Sequence, residues 1–352
     1  MKNKIIVFLF VGYLGLFSIL GLILKDKEIS SSERRKLASF PKVELNNDYI
    51  TKVDKYFLDQ FPFRDGFRSI KANYNYKVLR KLDNNGIYLK DNYIFKSNYP
   101  TNEKSISKFI NHLEKISSLF PDGNIYTMII PDKNYYLDDD YFLNIDYNYI
   151  YNKVENIGNF IDVRDVLSLS SYYETDTHWK QEKLNEVVIK MDEVMNFSYY
   201  DILYKENIYD KFYGVYYGES AVDRKPDNLV YLTTSIFDQV SVKYLENSNL
   251  KEIYNLARLD GLDSYEVYLD GASSFIEISN PSVSSKELVV FRDSFGSSLV
   301  PLLVPYYSKI IVIDDRYISS NYFMDLVGEV KNPDVLFLYS TLLVNDSSSL
   351  KD

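Results

Sequence analysis

Cysteine is absent from all 352 residues. That excludes disulfides, thiolate metal sites and a cysteine nucleophile, and it suits an exported protein that avoids stray oxidation. Histidine occurs twice, as His112 and His178, and tryptophan once, as Trp179. Any imidazole chemistry therefore has two places to be. Clustered basic charge is missing as well: a net charge of -10 and a pI near 5.0 argue against a nucleic-acid partner. No glycine-rich phosphate loop is present, so no nucleotide and no other cofactor is implied. A metal is not expected. Asp138-Asp139-Asp140 reads as a solvated turn, because a calcium loop needs alternating ligands with a glycine.

What is present is a large apolar share, 46% of the residues, enough for a substantial core. Thirty-four tyrosines and twenty-one phenylalanines stand out. Two readings fit them: an AT-rich coding sequence, or flat amphipathic faces set against sugar rings. Ile5 to Leu24 carries no charge, with Lys2 and Lys4 before it and Lys25 after. At about 1.5 Å per residue that run reaches about 30 Å, the depth of a bilayer's hydrocarbon core. No small-x-small cleavage site follows, so an uncleaved anchor is expected in preference to a cleaved signal. Lys25, Lys27, Arg34, Arg35 and Lys36 follow the run, so a literal charge count opposes an outward orientation. Long downstream domains cross regardless of such charges, and the bulk of the chain is placed extracytoplasmic.

In order, the expected organisation is a cytoplasmic tail at 1–4, an anchor at 5–24 and a polar juxtamembrane tether at 25–45. A helical lead-in and hairpin follow at 46–100, and an α/β domain at 101–345. Helical spacing over Val53 to Leu82 breaks at Phe61-Pro62-Phe63-Arg64-Asp65-Gly66, with Arg64 either a buried clamp or a solvated turn residue. Gly86 to Phe95 reads as a hairpin with Asp91-Asn92 in its turn. Ile106 to Phe120 is an amphipathic helix whose His112, lacking a carboxylate or serine cluster nearby, is given a surface role. Ile125 to Ile130, Phe160 to Val163, Glu287 to Phe291, Ile310 to Ile313 and Val335 to Tyr339 are strand candidates. Leu184 to Met195 is a helix, and residues 198–285 read as β-rich, with short runs at 213–217, 229–232, 240–244 and 266–269. The tail from Asn345 is polar and expected to fray. Alternating helix and apolar strand predicts an α/β sheet with its site at the strands' carboxyl ends.

Two segments carry the chemistry. Asp176-Thr177-His178-Trp179 lies on a loop before the 184–195 helix, and residues i and i+2 of an extended segment project to one side. Asp176 can therefore sit beside the His178 imidazole and orient it, or the two can converge on a common partner; an oriented histidine needs a nucleophile. Arg292-Asp293-Ser294-Phe295-Gly296 offers Ser294 in a strand-to-helix turn, which exposes a hydroxyl. The N–H groups of Ser294 and of Phe295 or Gly296 are the candidate oxyanion donors. The competing reading is that Asp176 and Ser294 merely cap the helices that follow them.

The paired motifs Asp176-Thr177-His178-Trp179 and Arg292-Asp293-Ser294-Phe295 resemble those of the alginate O-acetylation proteins and the related DHHW family. Glu33-Arg34-Arg35-Lys36-Leu37 with Phe40-Pro41, Phe61-Pro62-Phe63-Arg64, Pro131 and Lys133, Phe212 and Gly214, and Asp227 also fall in that family's order. Arg292 departs from it, standing where the Gly-Asp-Ser-Phe form has glycine. The resemblance implies an SGNH-hydrolase-like (flavodoxin-like) three-layer sandwich, circularly permuted, with a β-rich insertion at about 198–285. It implies Ser294 as nucleophile, His178 as base and Asp176 as orienting acid, with Arg292, Phe295, Gly296, Lys133, Tyr136 and Trp179 around the substrate or oxyanion. The activity implied is acetyl transfer to a hydroxyl of an extracytoplasmic polysaccharide, with a membrane-bound O-acyltransferase as donor partner. A carbohydrate esterase with the same triad, and a non-catalytic glycan-binding or export scaffold, are the alternatives.

Overall fold

A strand covered on both faces reads as an unbroken apolar run, because neither side meets water. Asp334–Ser340 is such a run, and all seven of its residues are buried. In the computed structural model it lies within a seven-stranded sheet. The structure describes residues 2–43, 48–137, 142–284, 286–328, 330 and 332–351; the Asp138-Asp139-Asp140 segment lies outside them. The chain divides into two compact units, one of residues 1–89 with 215–225, the other of 90–214 with 226–352.

The second unit holds the sheet. Its strands are β1 (Asn124–Ile130), β2 (Asn159–Phe160), β3 (Ser241–Tyr244), β4 (Phe275–Ser279), β5 (Glu287–Arg292), β6 (Lys309–Ile313) and β7 (Asp334–Ser340), in the spatial order β3-β4-β6-β5-β7-β1-β2. β6, β5, β7, β1 and β2 run parallel; at one edge β4 pairs antiparallel with β6, and β3 pairs antiparallel with β4. Because successive side chains alternate faces, each central strand feeds two cores. Leu288, Val290, Leu336 and Leu338 face one core, with Val187 and Met191 of helix Asn185–Met195 and Leu299 of helix Gly296–Leu303. Val289, Phe291, Val335 and Phe337 face the other, with Phe109 and Leu113 of helix Glu103–Ser117 and Phe323 of helix Ser320–Val327. Burying each such side chain is worth about 1.5–3 kcal/mol. The result is the expected mixed α/β three-layer sandwich. Its parallel strands bring Lys133, Ser294, Asp315 and Thr341 to one edge, the carboxyl one.

The β-rich reading of 198–285 holds for the runs at 229–232 and 240–244 and needs correction at 213–217 and 266–269. Lys205–Phe212 and Asp227–Thr233 do pair as an antiparallel ribbon, but β3 and β4 extend the main sheet. Residues 215–220 are a short helix belonging to the first unit, and Ser264–Val267 is a 3-10 turn, not a strand. The strand expected at 160–163 is confined to Asn159–Phe160. Nor does the tail fray: the Ser347 amide and hydroxyl bond the Ser105 hydroxyl and carbonyl, at 2.6 and 2.9 Å, and Leu350 is buried. His112 is not at the surface either. It is 3% exposed, and its Nε2 lies 2.7 Å from Asp315 Oδ2, a partner 203 residues away that local sequence does not reveal.

The first unit contains helices Lys2–Ile23, Asp48–Asp59 and Arg64–Asn73, the last continuing as a π turn over Tyr74–Val78. Asn3–Ile23 has a mean hydropathy of 2.6 and is long and apolar enough to cross a membrane. The segment expected to be a tether is folded. Glu33 accepts from Arg64 at 2.5 Å and pairs with Arg35 at 3.0 Å and Arg68 at 3.3 Å. Asp59 takes both Arg35 nitrogens, at 2.6 and 2.9 Å, and the Ala38 amide. Arg64 is thus the clamp rather than the solvated turn residue. Strands Ile87–Lys90 and Tyr93–Lys96 flank Asp91, whose φ of 52° suits the turn expected there.

Candidate active site

The loop that carries Asp176 and His178 is a hairpin closed around a cation. Tyr172 and Trp179 form its bridge, and the Tyr173 amide donates to the His178 carbonyl at 3.2 Å. Lys133, just past the end of β1, points its ammonium into the hairpin and donates to the carbonyls of Tyr173 (3.1 Å), Glu174 (3.3 Å) and Asp176 (2.7 Å). Burial pulls its pKa down to about 7. Asp227 grips the same loop from outside, accepting from the Glu174 and Thr175 amides and the Thr175 hydroxyl at 2.9, 2.8 and 2.6 Å. Gly214 packs directly against it: a Cβ there would lie 2.3 Å from Asp176 Cβ and from the Thr175 carbonyl, so no other residue fits.

Within this frame Asp176 Oδ1 lies 2.6 Å from His178 Nδ1 and also accepts the His178 amide at 3.0 Å. His178 Nε2 lies 2.8 Å from Ser294 Oγ, 116 residues downstream. Asp176 is 1% and His178 8% exposed, while Ser294 is part-exposed. The carboxylate fixes the imidazole with Nδ1 protonated, which leaves Nε2 as the acceptor for the serine proton. Neither group caps a helix: helix Gly296–Leu303 has no side-chain cap, and residues 181–183 form a 3-10 turn. Trp179 staples the two segments together, its Nε1 donating to the Phe295 carbonyl at 3.0 Å and Ser298 Oγ at 2.9 Å.

The turn after β5 is set by Asp293. Its Oδ1 accepts the Phe295 amide at 3.0 Å, its carbonyl accepts the Gly296 amide at 3.1 Å, and its Oδ2 accepts the Ser340 amide and hydroxyl. The Phe295 and Gly296 amides, expected as oxyanion donors, are therefore already engaged. Among the described residues, the Ser294 amide donates to no protein group. Gly296 is needed for packing, since a Cβ would sit 2.7 Å from Arg292 Cβ and 3.0 Å from Leu338 Cδ2. Phe295 instead lends its ring, 4.9 Å from the imidazole.

Three other expected substrate contacts are engaged elsewhere. Lys133 is buried in the loop, as described. Tyr136 donates its hydroxyl to the Arg164 carbonyl at 3.1 Å. Arg292 is fully buried: it pairs with Asp314 at 3.2 Å and donates to the Gly271 carbonyl at 3.0 Å. Burial lowers its pKa, and Asp314 opposes that shift. Long buried cations reach carbonyls in the fold because leaving them unpaired there is costly.

One residue without any sequence signal joins the site. Tyr265 lies flat on His178, ring centroids 3.9 Å apart at 8°, with its hydroxyl 2.9 Å from Ser298 Oγ. Burial holds that phenol well above its usual pKa, so it stays neutral. An aromatic face against the imidazole favours the protonated ring that forms when the serine proton is taken. Tyrosine is too frequent here, at 34 residues, for sequence to single this one out.

Fold and site together define an α/β protein with a serine, a histidine and an aspartate in hydrogen-bonded series at the carboxyl edge of its sheet. Solved structures share this fold. A DHHW family protein from Eubacterium siraeum matches with a TM-score of 0.63 at 19% identity, over 76% of this chain and 94% of that one. Bacillus cereus PatB1, solved with a sulfonyl adduct, matches at 0.59 and 18% identity, over 76% and 100%. The O-acetyltransferase domain of Pseudomonas putida AlgJ aligns at 0.42 and 13%. No family model and no curated protein sequence matches the chain. The expected resemblance to the DHHW group thus holds at the level of fold.

Proposed function

We propose that this protein is a membrane-anchored, extracytoplasmic O-acetyltransferase that moves an acetyl group, by way of Ser294, to a hydroxyl of a cell-surface or secreted polysaccharide. The observation that carries the reading is the series Asp176 Oδ1 to His178 Nδ1 at 2.6 Å and His178 Nε2 to Ser294 Oγ at 2.8 Å. Ser294 Oγ attacks the acyl carbon as His178 takes its proton. The imidazolium, held by Asp176 and Tyr265, gives that proton to the leaving oxygen. A sugar hydroxyl then loses its proton to His178 and attacks the acyl-serine carbon, and as the acyl–Oγ bond breaks the imidazolium returns that proton to Ser294 Oγ. The Ser294 amide, which donates to no protein group among the described residues, serves in this reading as the donor to the developing oxyanion.

The likeness of fold to the DHHW protein and to PatB1 supports this class, and the apolar helix at Lys2–Ile23 supports the anchor. A membrane-bound O-acyltransferase as the acetyl source completes the scheme. The test uses the full chain in nanodiscs with a chromogenic acetyl ester. Wild type turns the ester over, Ser294→Ala loses at least about 10³-fold, and an added oligosaccharide acceptor accelerates release while becoming acetylated. Equal turnover in the two proteins removes the enzyme reading. Turnover that no acceptor accelerates converts it to an esterase.

A further inference from the structure

Helix Arg64–Asn73 and its π continuation to Val78 bury one side and leave the other bare. Ala72 and Asn75 are buried, and Arg68 donates to the Gly218 carbonyl at 2.9 Å. Away from that side runs a stripe of Phe63, Phe67, Ile70, Tyr74 and Val78, spaced by three or four residues as one helical face requires. Phe63, Ile70 and Val78 are 67%, 66% and 62% exposed. A bare apolar stripe of this length on a folded unit calls for a cover.

Two observations name the cover. The stripe is continuous with the apolar helix at the N-terminus: the Phe17 ring stacks on Phe61 at 5.2 Å and 6°, and meets Phe67 at 5.6 Å. Phe17 lies six residues before Ile23, so these rings sit about 9 Å below the helix's C-terminal end. That is the depth at which in-plane amphipathic helices seat their apolar faces. Charge points the same way. Arg64 and Arg68 are spent on Glu33, but residues 64–82 also carry the exposed Lys71, Lys77, Arg80 and Lys81 against the single acid Asp65, in a chain of net charge -10. Basic residues around an apolar face suit anionic headgroups.

We infer that the helix from Arg64 to Val78 lies in the plane of the membrane surface, its Phe63–Val78 stripe in the acyl boundary and the exposed Lys71, Lys77, Arg80 and Lys81 among anionic lipid headgroups. The inference rests on the reading that Lys2–Ile23 spans the bilayer. It gives the protein two membrane contacts, one across and one along the surface.

The absence of native cysteine makes a labelling test clean. Single-cysteine variants Ile70→Cys, Leu14→Cys and Glu193→Cys of the full chain carry an environment-sensitive fluorophore in vesicles containing phosphatidylglycerol. Ile70→Cys is expected to show blue-shifted emission that is lost with doxyl-labelled lipids, as Leu14→Cys does, while Glu193→Cys reports water. Emission at position 70 should shift back toward water in purely zwitterionic vesicles. A water-like signal at 70 with a lipid-like one at 14 overturns the inference and spares the span. Water-like signals at both remove the span as well. A blue-shifted signal at 70 that doxyl lipids do not quench assigns the stripe to a protein neighbour and overturns the lipid contact.

Discussion

The protein owns two histidines, and each is paired with an aspartate inside the second unit, in surroundings that make opposite use of the same chemistry. His178 meets Asp176 through Nδ1 and presents Nε2 to a part-exposed serine hydroxyl. His112 meets Asp315 through Nε2, while its Nδ1 and Asp315 Oδ1 find no partner among the described residues. The hydroxyl in that second cluster belongs to Tyr339, which donates to Asp315 Oδ2 at 2.6 Å. Its phenol pKa is pushed well up by burial and by Asp315, so it does not act as a nucleophile. The two pairs also sit in different cores, one beside Tyr265 and Phe295, the other beside Phe109 and Tyr339. A His–Asp pair alone therefore says little. What distinguishes the first is the group on the far nitrogen and its opening to solvent.

The comparison breaks most sharply at the carboxylates. Asp176→Asn should lower ester turnover about 10⁴-fold by unsettling the imidazole tautomer, with little change in thermal midpoint. Lys133→Met comes next. Without the ammonium the hairpin carbonyls lose their common donor, Asp176 and His178 drift, and turnover falls about 10²-fold. The same variant has a stability signature. Lys133 has a folded pKa of about 7 against 10.5 for an ordinary lysine, so from pH 7 to 10.5 the unfolded chain holds more protons. This group therefore makes stability rise with pH across that window, and urea titrations of Lys133→Met should lack that rise.

Tyr265→Leu removes the ring face under the imidazole and should slow turnover by about 3–10-fold, with the effect in kcat. At the other pair, Asp315→Asn should leave turnover unchanged and cost about 1–3 kcal/mol of stability by urea unfolding. Tyr339→Phe should do the same at about 1 kcal/mol. Lost turnover in either of these last two would erase the distinction between the pairs.

Much of this arrangement is legible in the sequence where chemistry is local. Asp176 and His178 are two residues apart, the buried strands announce themselves as apolar runs, and Ser294 follows one directly. Long-range pairings are not legible. Nothing near His112 signals Asp315, nothing marks Tyr265 among its many kin, and a basic stretch such as Glu33 to Lys36 looks solvated until Asp59, Arg64 and Arg68 arrive to pair with it. The engagement of the Phe295 amide is hidden for a related reason: whether Asp293 turns its carboxylate back to claim it depends on Ser340 holding the other oxygen, while the Gly296 amide is taken by the Asp293 carbonyl within the turn. Lys133 likewise looks available in sequence, and only the hairpin shows that its donors are spent.

The central claim is that Ser294, and no other hydroxyl, is activated, and that His178 does it. Mass spectrometry after exposure to a sulfonyl fluoride reads this directly. The account predicts one adduct, on the peptide containing Ser294, kept in His112→Ala and lost in His178→Ala. An adduct that survives in His178→Ala, or that forms on another residue in wild type, contradicts it.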